Sequence, residues 1–300
     1  PVLLLVAFFF VGIVNRTKSI LGGRQGPGML QHVRDVMRLY RKGAVISTTT
    51  SLIFRIAPTI SFVTVVLACC LLPIGASKSV FAFPYDVVAF AYLLALGRFV
   101  MILAALDTGS PFEGMGANRE AIYGMLVEPA FFVLLGSFAV LTGNTSFSAL
   151  FATLHLGTDG VSILMSAFAV YVILQIAMVE NSRLPVDDPR THLELTMVHE
   201  VMILDHSGFD LALIMTTSSL KFAVFGLLLA NFHLPPDVPL AVTIGIVLAV
   251  CVLFAVTVGA LESFRARNRM KANPQFILTL TSIAVLVYFS VLILTNNLVL

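Results

Sequence analysis

Eight apolar runs, at about 2–14, 51–73, 86–106, 120–142, 160–180, 209–232, 238–262 and 275–295, account for most of this 300-residue chain. All but the first reach the roughly 20 residues that a helix needs to cross the hydrocarbon core of a bilayer. In lipid each backbone N–H and C=O must pair within its own segment, so apolar runs of this length are read as helices. With 11% charged residues and a mean hydropathy of +0.99, the chain departs from soluble globules, which carry about 25% charged residues. The expected fold is therefore an all-α polytopic membrane protein of about eight transmembrane helices, forming a single membrane domain over 1–300. The first run has only thirteen residues, starts without Met and lacks the basic flank of a signal peptide. It is expected to be the tail of a span that begins upstream.

Basic residues orient the spans. Connections 15–50, 107–119, 181–208 and 263–274 hold fourteen Lys and Arg, whereas the opposite loops hold only Lys78. The positive-inside rule then places these four connections in the cytoplasm and both termini outside. The expected location is the inner (plasma) membrane of a prokaryote.

Within 15–50, the turn-forming run Gly22–Gly28 precedes M-L-Q-H-V-R-D-V-M-R-L-Y-R-K. Met29, Leu30, Val33, Val36, Met37 and Tyr40 recur at helical spacing while Arg34, Asp35, Arg38 and Arg41 point elsewhere. The spacing predicts a short amphipathic helix at the membrane surface, between the first and second spans, resting on anionic lipid or on a docked partner. The glycines make no phosphate loop, since no G-K-[ST] follows.

Charges inside the spans carry more chemistry. Arg98 and Glu128 each lie about 12 Å from the cytoplasmic end of their runs, and Lys221 about 18 Å deep, at 1.5 Å per residue. An unpaired charge at such depth costs at least ~2.5–3.5 kcal/mol, so these groups should face one another or water. Glu120 and Glu128 are offset by about 80° on one helix and can line one channel. Pro129 frees a backbone carbonyl beside Glu128. Buried carboxylates can hold and release protons near neutral pH, which is what a proton path needs. A set of structural ion pairs is the competing reading. The connection 180–208 adds Glu180, Asp187, Asp188, Glu194, Glu200 and Asp205 with three histidines, either as a solvated loop or as a face for a partner.

Four segments, R-Q-G-P-G-M-L-Q-H-V-R-D-V-M-R-L (24–39), A-L-D-T-G-S-P-F-E-G-M-G-A-N-R-E-A (105–121), L-V-E-P (126–129) and L-P-V-D (184–187), together resemble a known family. They are similar to the membrane subunit of formate hydrogenlyase and other energy-converting (group 4) hydrogenases, homologous to subunit 1 of respiratory complex I. The resemblance runs in the same order along nearly the whole chain. It implies that Gly26, Pro27, Gly28 and Gln31 belong to a docking face for a soluble hydrogenase-like arm. It also implies that Asp107, Arg119, Glu120, Glu128 and Glu180 lead from that arm into the membrane, and that Lys221 matches a lysine of the hydrogenase branch. In the 180–208 connection P-V-D-D-P-R-T-H-L-E-L stands where the family has P-F-D and A-E-x-E-x-E-L, so only Asp187 and Glu194 carry over. With Arg98, these residues form the expected proton path.

The implied role is a membrane anchor and proton-coupling subunit of a respiratory-type oxidoreductase complex, with no catalytic residue, metal or redox centre of its own. Cys69, Cys70 and Cys251 form no C-x-x-C pair. Iron–sulfur clusters, with nickel-iron or quinone, are expected in partner subunits or at the interface. The partners implied are soluble hydrogenase-like large and small subunits, iron–sulfur subunits and antiporter-like membrane subunits; no nucleic-acid partner is expected. A quinone-binding complex I-type subunit and a free-standing secondary transporter are the alternatives, and the absence of paired broken helices argues against the transporter. His199-Glu200 starts an H-E-x-x-H pattern, but Ile203 stands where the second His is needed.

Overall fold

The computed structural model describes residues 2–75, 79–154, 160–188, 196–232, 234 and 239–295, the side chains of 2–5 and 160–162 excepted. Among these residues the regular elements are all helical: α1 Val2–Leu21, α2 Gln31–Tyr40, α3 Leu52–Leu71, α4 Asp86–Asp107, α5 Pro111–Thr142 and α6 Phe147–Thr153. They continue as α7 Gly160–Glu180, α8 His199–Met202, α9 Gly208–Asn231, α10 Leu240–Phe264 and α11 Asn273–Leu294, the last preceded by a 3-10 turn at Met270–Ala272. Seven helices, α3, α4, α5, α7, α9, α10 and α11, are long and apolar enough to cross a membrane. Helix α1 packs against α9 and α10 beside them. The chain is a multi-pass membrane protein.

Helix α9 is the axis of the bundle. It is buried on nearly every side, with α1, α2, α3, α7 and α10 packed around it. A helix so enclosed must satisfy its own polar groups, and Thr216, Thr217 and Ser219 donate to carbonyls four residues back at 2.8, 2.8 and 3.0 Å. Helix α2 lies against α9 through His32, Val36 and Tyr40, which share one face at i, i+4 and i+8. The His32 Nε2 is 2.8 Å from Ser219 Oγ, Tyr40 Oη is 3.0 Å from Thr216 Oγ1, and Val36 is fully buried. Met29, Leu30 and Met37 stay exposed, so the contact face is narrower than the apolar pattern predicts and includes a histidine.

Helix α5 starts at Pro111, nine residues ahead of its apolar run, so most of the 107–119 connection is helix. Ser110 is extended and Pro111, with φ fixed by its ring, opens the first turn; Gly143 ends the helix at φ 67. Hydropathy reports only the part of a rod that suits lipid, so the polar turns carrying Glu113 and Arg119 escape it. Thirty-two residues make this helix about 48 Å long, well beyond the ~30 Å hydrocarbon core. Helix α6, absent from the expected elements, is seated by Asp86, whose carboxylate accepts from Ser146 Oγ at 2.8 Å and Phe147 N at 2.7 Å.

Helix α1 also outruns its apolar stretch, continuing to Leu21 through Asn15, Arg16 and Lys18. A buried ion triad explains this. The Glu262 carboxylate on α10, fully enclosed, takes Lys18 Nζ at 2.6 Å and Arg183 Nη1 at 3.4 Å. It thereby joins α1, α10 and the segment after α7. Removing one member of a buried pair strands the rest, at a cost of about 3–5 kcal/mol. Glu262→Ala should therefore lower the thermal unfolding midpoint of the solubilised protein by several degrees; an unchanged midpoint would mean that the triad does not hold these elements.

Candidate functional site

Arg98 on α4 gathers carboxylates from two other helices. Its Nη1 is 3.3 Å from Glu128 Oε1 and its Nε is 3.8 Å from Glu120 Oε1, both on α5. Its Nη2 bonds Glu180 Oε1, at the end of α7, and Lys221 Nζ on α9 stands 3.8 Å from the other Glu180 oxygen. The guanidinium lies flat against α5 because Gly124 has no side chain; a Cβ there would overlap Nη1. Arg98, Glu120, Glu180 and Lys221 are nearly enclosed, whereas the Glu128 side chain is 41% exposed. Three carboxylates face two cations, so the fully ionised cluster carries one surplus negative charge that a proton can neutralise.

One cavity adjoins the cluster and a second lies beyond it. The inner one, with about 40 Å³ of room for water centres, is bordered by Arg98, Glu120, Glu180, Lys221 and His199. The outer one, about 200 Å³, lies between α1, α2, α9 and the segment after α7, and is bordered by His32, Arg183, Asp187, His199 and Glu200. One water needs roughly 10–15 Å³ on this scale, so the inner cavity takes roughly three. Both are polar enough to hold water.

The segment after α7 is folded back into the bundle, not solvated. Residues 181–187 are all buried. Asp187 accepts from Arg267 Nη2 at 3.0 Å and from the backbone N–H groups of Val198 and His199 at 3.3 and 3.1 Å. Arg267 also donates to the Thr196 carbonyl. Burial pushes the Asp187 carboxyl above the usual aspartate range, against the pull of the His199 N–H and Arg267. Arg119 Nη1 donates to Met197 O at 2.7 Å, and Asn273 Nδ2 donates to Tyr123 Oη at 3.1 Å and Val186 O at 3.0 Å. This part of the connection is thus fixed to α5, to the α10–α11 link and to α11.

A family model described as NADH dehydrogenase matches residues 1–291. The chain belongs to the NADH dehydrogenase family. It is 33% identical over 239 residues to hydrogenase-4 component C of Escherichia coli (strain K12), covering 78% of this chain and 73% of that protein. To formate hydrogenlyase subunit 4 of the same organism it is 29% identical over 281 residues, covering 91% and 90%. NADH-ubiquinone oxidoreductase chain 1 of Chondrus crispus is 23% identical over 219 residues, covering 70% and 65%. Among solved structures, a chain of the membrane-bound sulfane sulfur reductase, an archaeal respiratory membrane complex, shares the fold. The TM-score is 0.83 at 18% identity, over 96% of this chain and 95% of that one. The hydrogenase-branch and complex I relatives are those to which the sequence motifs point.

Of the positions expected to form the proton path, Arg98, Glu120, Glu128, Glu180 and Lys221 meet in one cluster. Asp187 sits at the outer cavity and Arg119 between α5 and the folded-back segment. Asp107 lies apart, accepting from the Ser51 N–H at 2.7 Å at the start of α3. Glu194, with Arg190 and His192, lies outside the described residues, as does Lys78. Pro27 and Gly28 are exposed, Gly26 and Gln31 half-buried, with Gln31 Nε2 2.9 Å from Asp35. Sequence reasoning missed Glu262, Arg183 and Arg267 as buried partners, and set His199 aside with the failed zinc pattern. Among the described residues no group of three His, Cys, Asp or Glu is placed to hold a metal ion.

His206, in the turn before α9, is 3% exposed and stacks on Phe54 at 4.0 Å between ring centroids. Neither ring nitrogen has a hydrogen-bond partner among the described residues. Burial lowers its pKa from 6.5 to about 4. The folded state keeps this ring neutral while the unfolded chain protonates it, so its contribution is whole above pH 6.5 and is lost as pH falls from 6.5 toward 4. The loss is on the order of 3 kcal/mol. The thermal midpoint of the solubilised protein should fall between pH 7.5 and 5. His206→Phe, which can keep the stack, should show a smaller fall; an equal fall would remove His206 as a cause.

Proposed function

We propose that this chain is the membrane anchor and proton-coupling subunit of its complex. The chain is a membrane subunit of a respiratory-type oxidoreductase, as are its hydrogenase-4, formate hydrogenlyase and complex I relatives. In this reading the basic connections 15–50, 107–119, 181–208 and 263–274 face the cytoplasm of a prokaryote, both termini lie outside, and one membrane domain spans 1–300. Soluble hydrogenase-like large and small subunits and iron–sulfur subunits dock around Gly26, Pro27, Gly28 and Gln31. The clusters sit in those partners; Cys69, Cys70 and Cys251 of this chain form no C-x-x-C pair. Antiporter-like membrane subunits complete the complex.

One observation supports the proton-coupling part: a five-charge cluster with one surplus negative charge, bordered by a cavity that shares a wall with a second cavity beside the segment after α7. A purely structural ion pair needs neither the surplus charge nor the cavities. Asp187 stands at the outer cavity, Glu120 and Glu180 at the inner one, and Glu128 on the far side of Arg98. Glu128 is part-exposed at mid-span, where a carboxylate facing lipid is costly, so a neighbouring membrane subunit covers it.

In mild detergent the chain should come out with iron–sulfur subunits; a monomer that transports a solute in liposomes would sink the assignment. Glu128→Gln keeps the shape and fixes the neutral form, and should stop proton translocation by at least tenfold in an assembled complex. Glu128→Asp should restore part of it. Disassembly in Glu128→Gln would make the residue structural, because Arg98 would then be short of a partner that it needs. Translocation at the wild-type rate would remove Glu128 from the path.

A further inference from the structure

The outer and inner cavities are separate volumes with a common wall. Five residues border both: Asn181, Ser182, His199, Ile214 and Ser218. An amide or a serine hydroxyl can orient water but neither gains nor loses a proton near neutral pH. Imidazole alone among these side chains titrates between about pH 5 and 8. From this geometry we infer that His199 is the proton-transfer residue that joins the outer cavity to the buried charge cluster. The inference rests on the proton-coupling reading above.

The position suits the step. His199 opens the short helix α8, and its backbone N–H donates to the Asp187 carboxylate at 3.1 Å, which fixes the residue where the segment after α7 turns back into the bundle. The residue is half-buried and lines both volumes, and an imidazole carries two nitrogens that can take and give a proton on different edges of one ring. Asp187 and Glu200 face it from the outer side and Lys221 from the inner side. Burial, with Lys221, favours the neutral ring, and the two carboxylates oppose this. A neutral ring is the form that can accept. One ring nitrogen takes a proton from a water of the outer cavity while the proton on the other nitrogen passes to a water of the inner cavity. Only N–H and O–H bonds form and break, and no electron moves. A flip of the ring about its bond to the Cβ restores the first tautomer and readies the residue for the next proton. Glu120 and Glu180, with Lys221 beside them, are the acceptors on the inner side.

Two variants in the complete complex, reconstituted in proteoliposomes and driven by its own electron-transfer reaction, test the assignment. The readout is protons moved per electron pair, followed with a lumenal pH dye between pH 5.5 and 8. His199→Gln should lower that ratio at least tenfold and flatten its pH profile. His199→Ala should lower it equally, and added imidazole should restore it by filling the space the ring leaves. A wild-type ratio and pH profile in His199→Gln overturns the role of His199, while a block in Glu128→Gln under the same conditions leaves the coupling reading standing. Failure of either variant to assemble, or a loss in His199→Ala that imidazole does not relieve, makes His199 a structural residue and also overturns it. A wild-type complex that moves no protons defeats the coupling reading and this inference together.

Discussion

One guanidinium holds the centre of this molecule. Arg98 enters the bundle on α4, and Glu120, Glu128 and Glu180 close on it from α5 and α7, with Lys221 reaching Glu180 from α9. No one of these charges is tolerable alone at membrane depth. Together they fix how four helices pack, and Gly124 is the concession that lets the guanidinium lie against α5. The same cluster is deliberately unbalanced in charge terms: two cations cannot neutralise three carboxylates. Helix packing and the proposed proton chemistry rest on a single grouping, so both should be sensitive to the same residues.

The rest of the site depends on residues 181–187, after α7, being drawn inward. Charged residues in such a segment would ordinarily be left in water. Here each buried charge has a named partner: Asp187 with Arg267, and Arg183 with Glu262, which also holds Lys18. Desolvating these groups is costly, and the return is a wall with polar residues on both sides rather than a loose loop. That wall bounds the outer cavity below α2 and the inner cavity beside Lys221. His206, stacked on Phe54 without a hydrogen-bond partner among the described residues, shows that the inward folding leaves some polar groups uncompensated.

Much of this was legible in the sequence. Spans announce themselves by apolar length, and charges within them by their rarity, so Arg98, Glu128 and Lys221 could be singled out and expected to face one another or water, with Glu120 near Glu128, while Glu180 came from the family resemblance. What hydropathy cannot report is a helix that continues beyond lipid. The polar first turns of α5 and last turns of α1 were therefore read as connection. Pairings between distant segments were equally hidden: nothing local in R-L-P-V-D or R-A-R-N-R says that Arg183 seeks Glu262 or that Arg267 seeks Asp187. Asp107 belongs to a motif that also contains the cluster residue Glu120, yet its carboxylate turns to Ser51. A motif gives residue identity, and only the fold gives direction. His199 escaped because it was weighed as a metal ligand, while its importance comes from the two volumes it separates.

The central claim is that the buried cluster exchanges a proton and does not stay as a fixed set of ion pairs. Infrared difference spectroscopy on the complete complex, with glutamate carboxyls labelled with carbon-13, reads this directly. Between the oxidised and reduced states, a protonated-carboxyl C=O band that shifts with the label should appear or vanish, and it should be missing in an Arg98→Met variant whose cluster has lost its organising cation. Three glutamates ionised alike in both states, with no labelled C=O band in the difference spectrum, would contradict it.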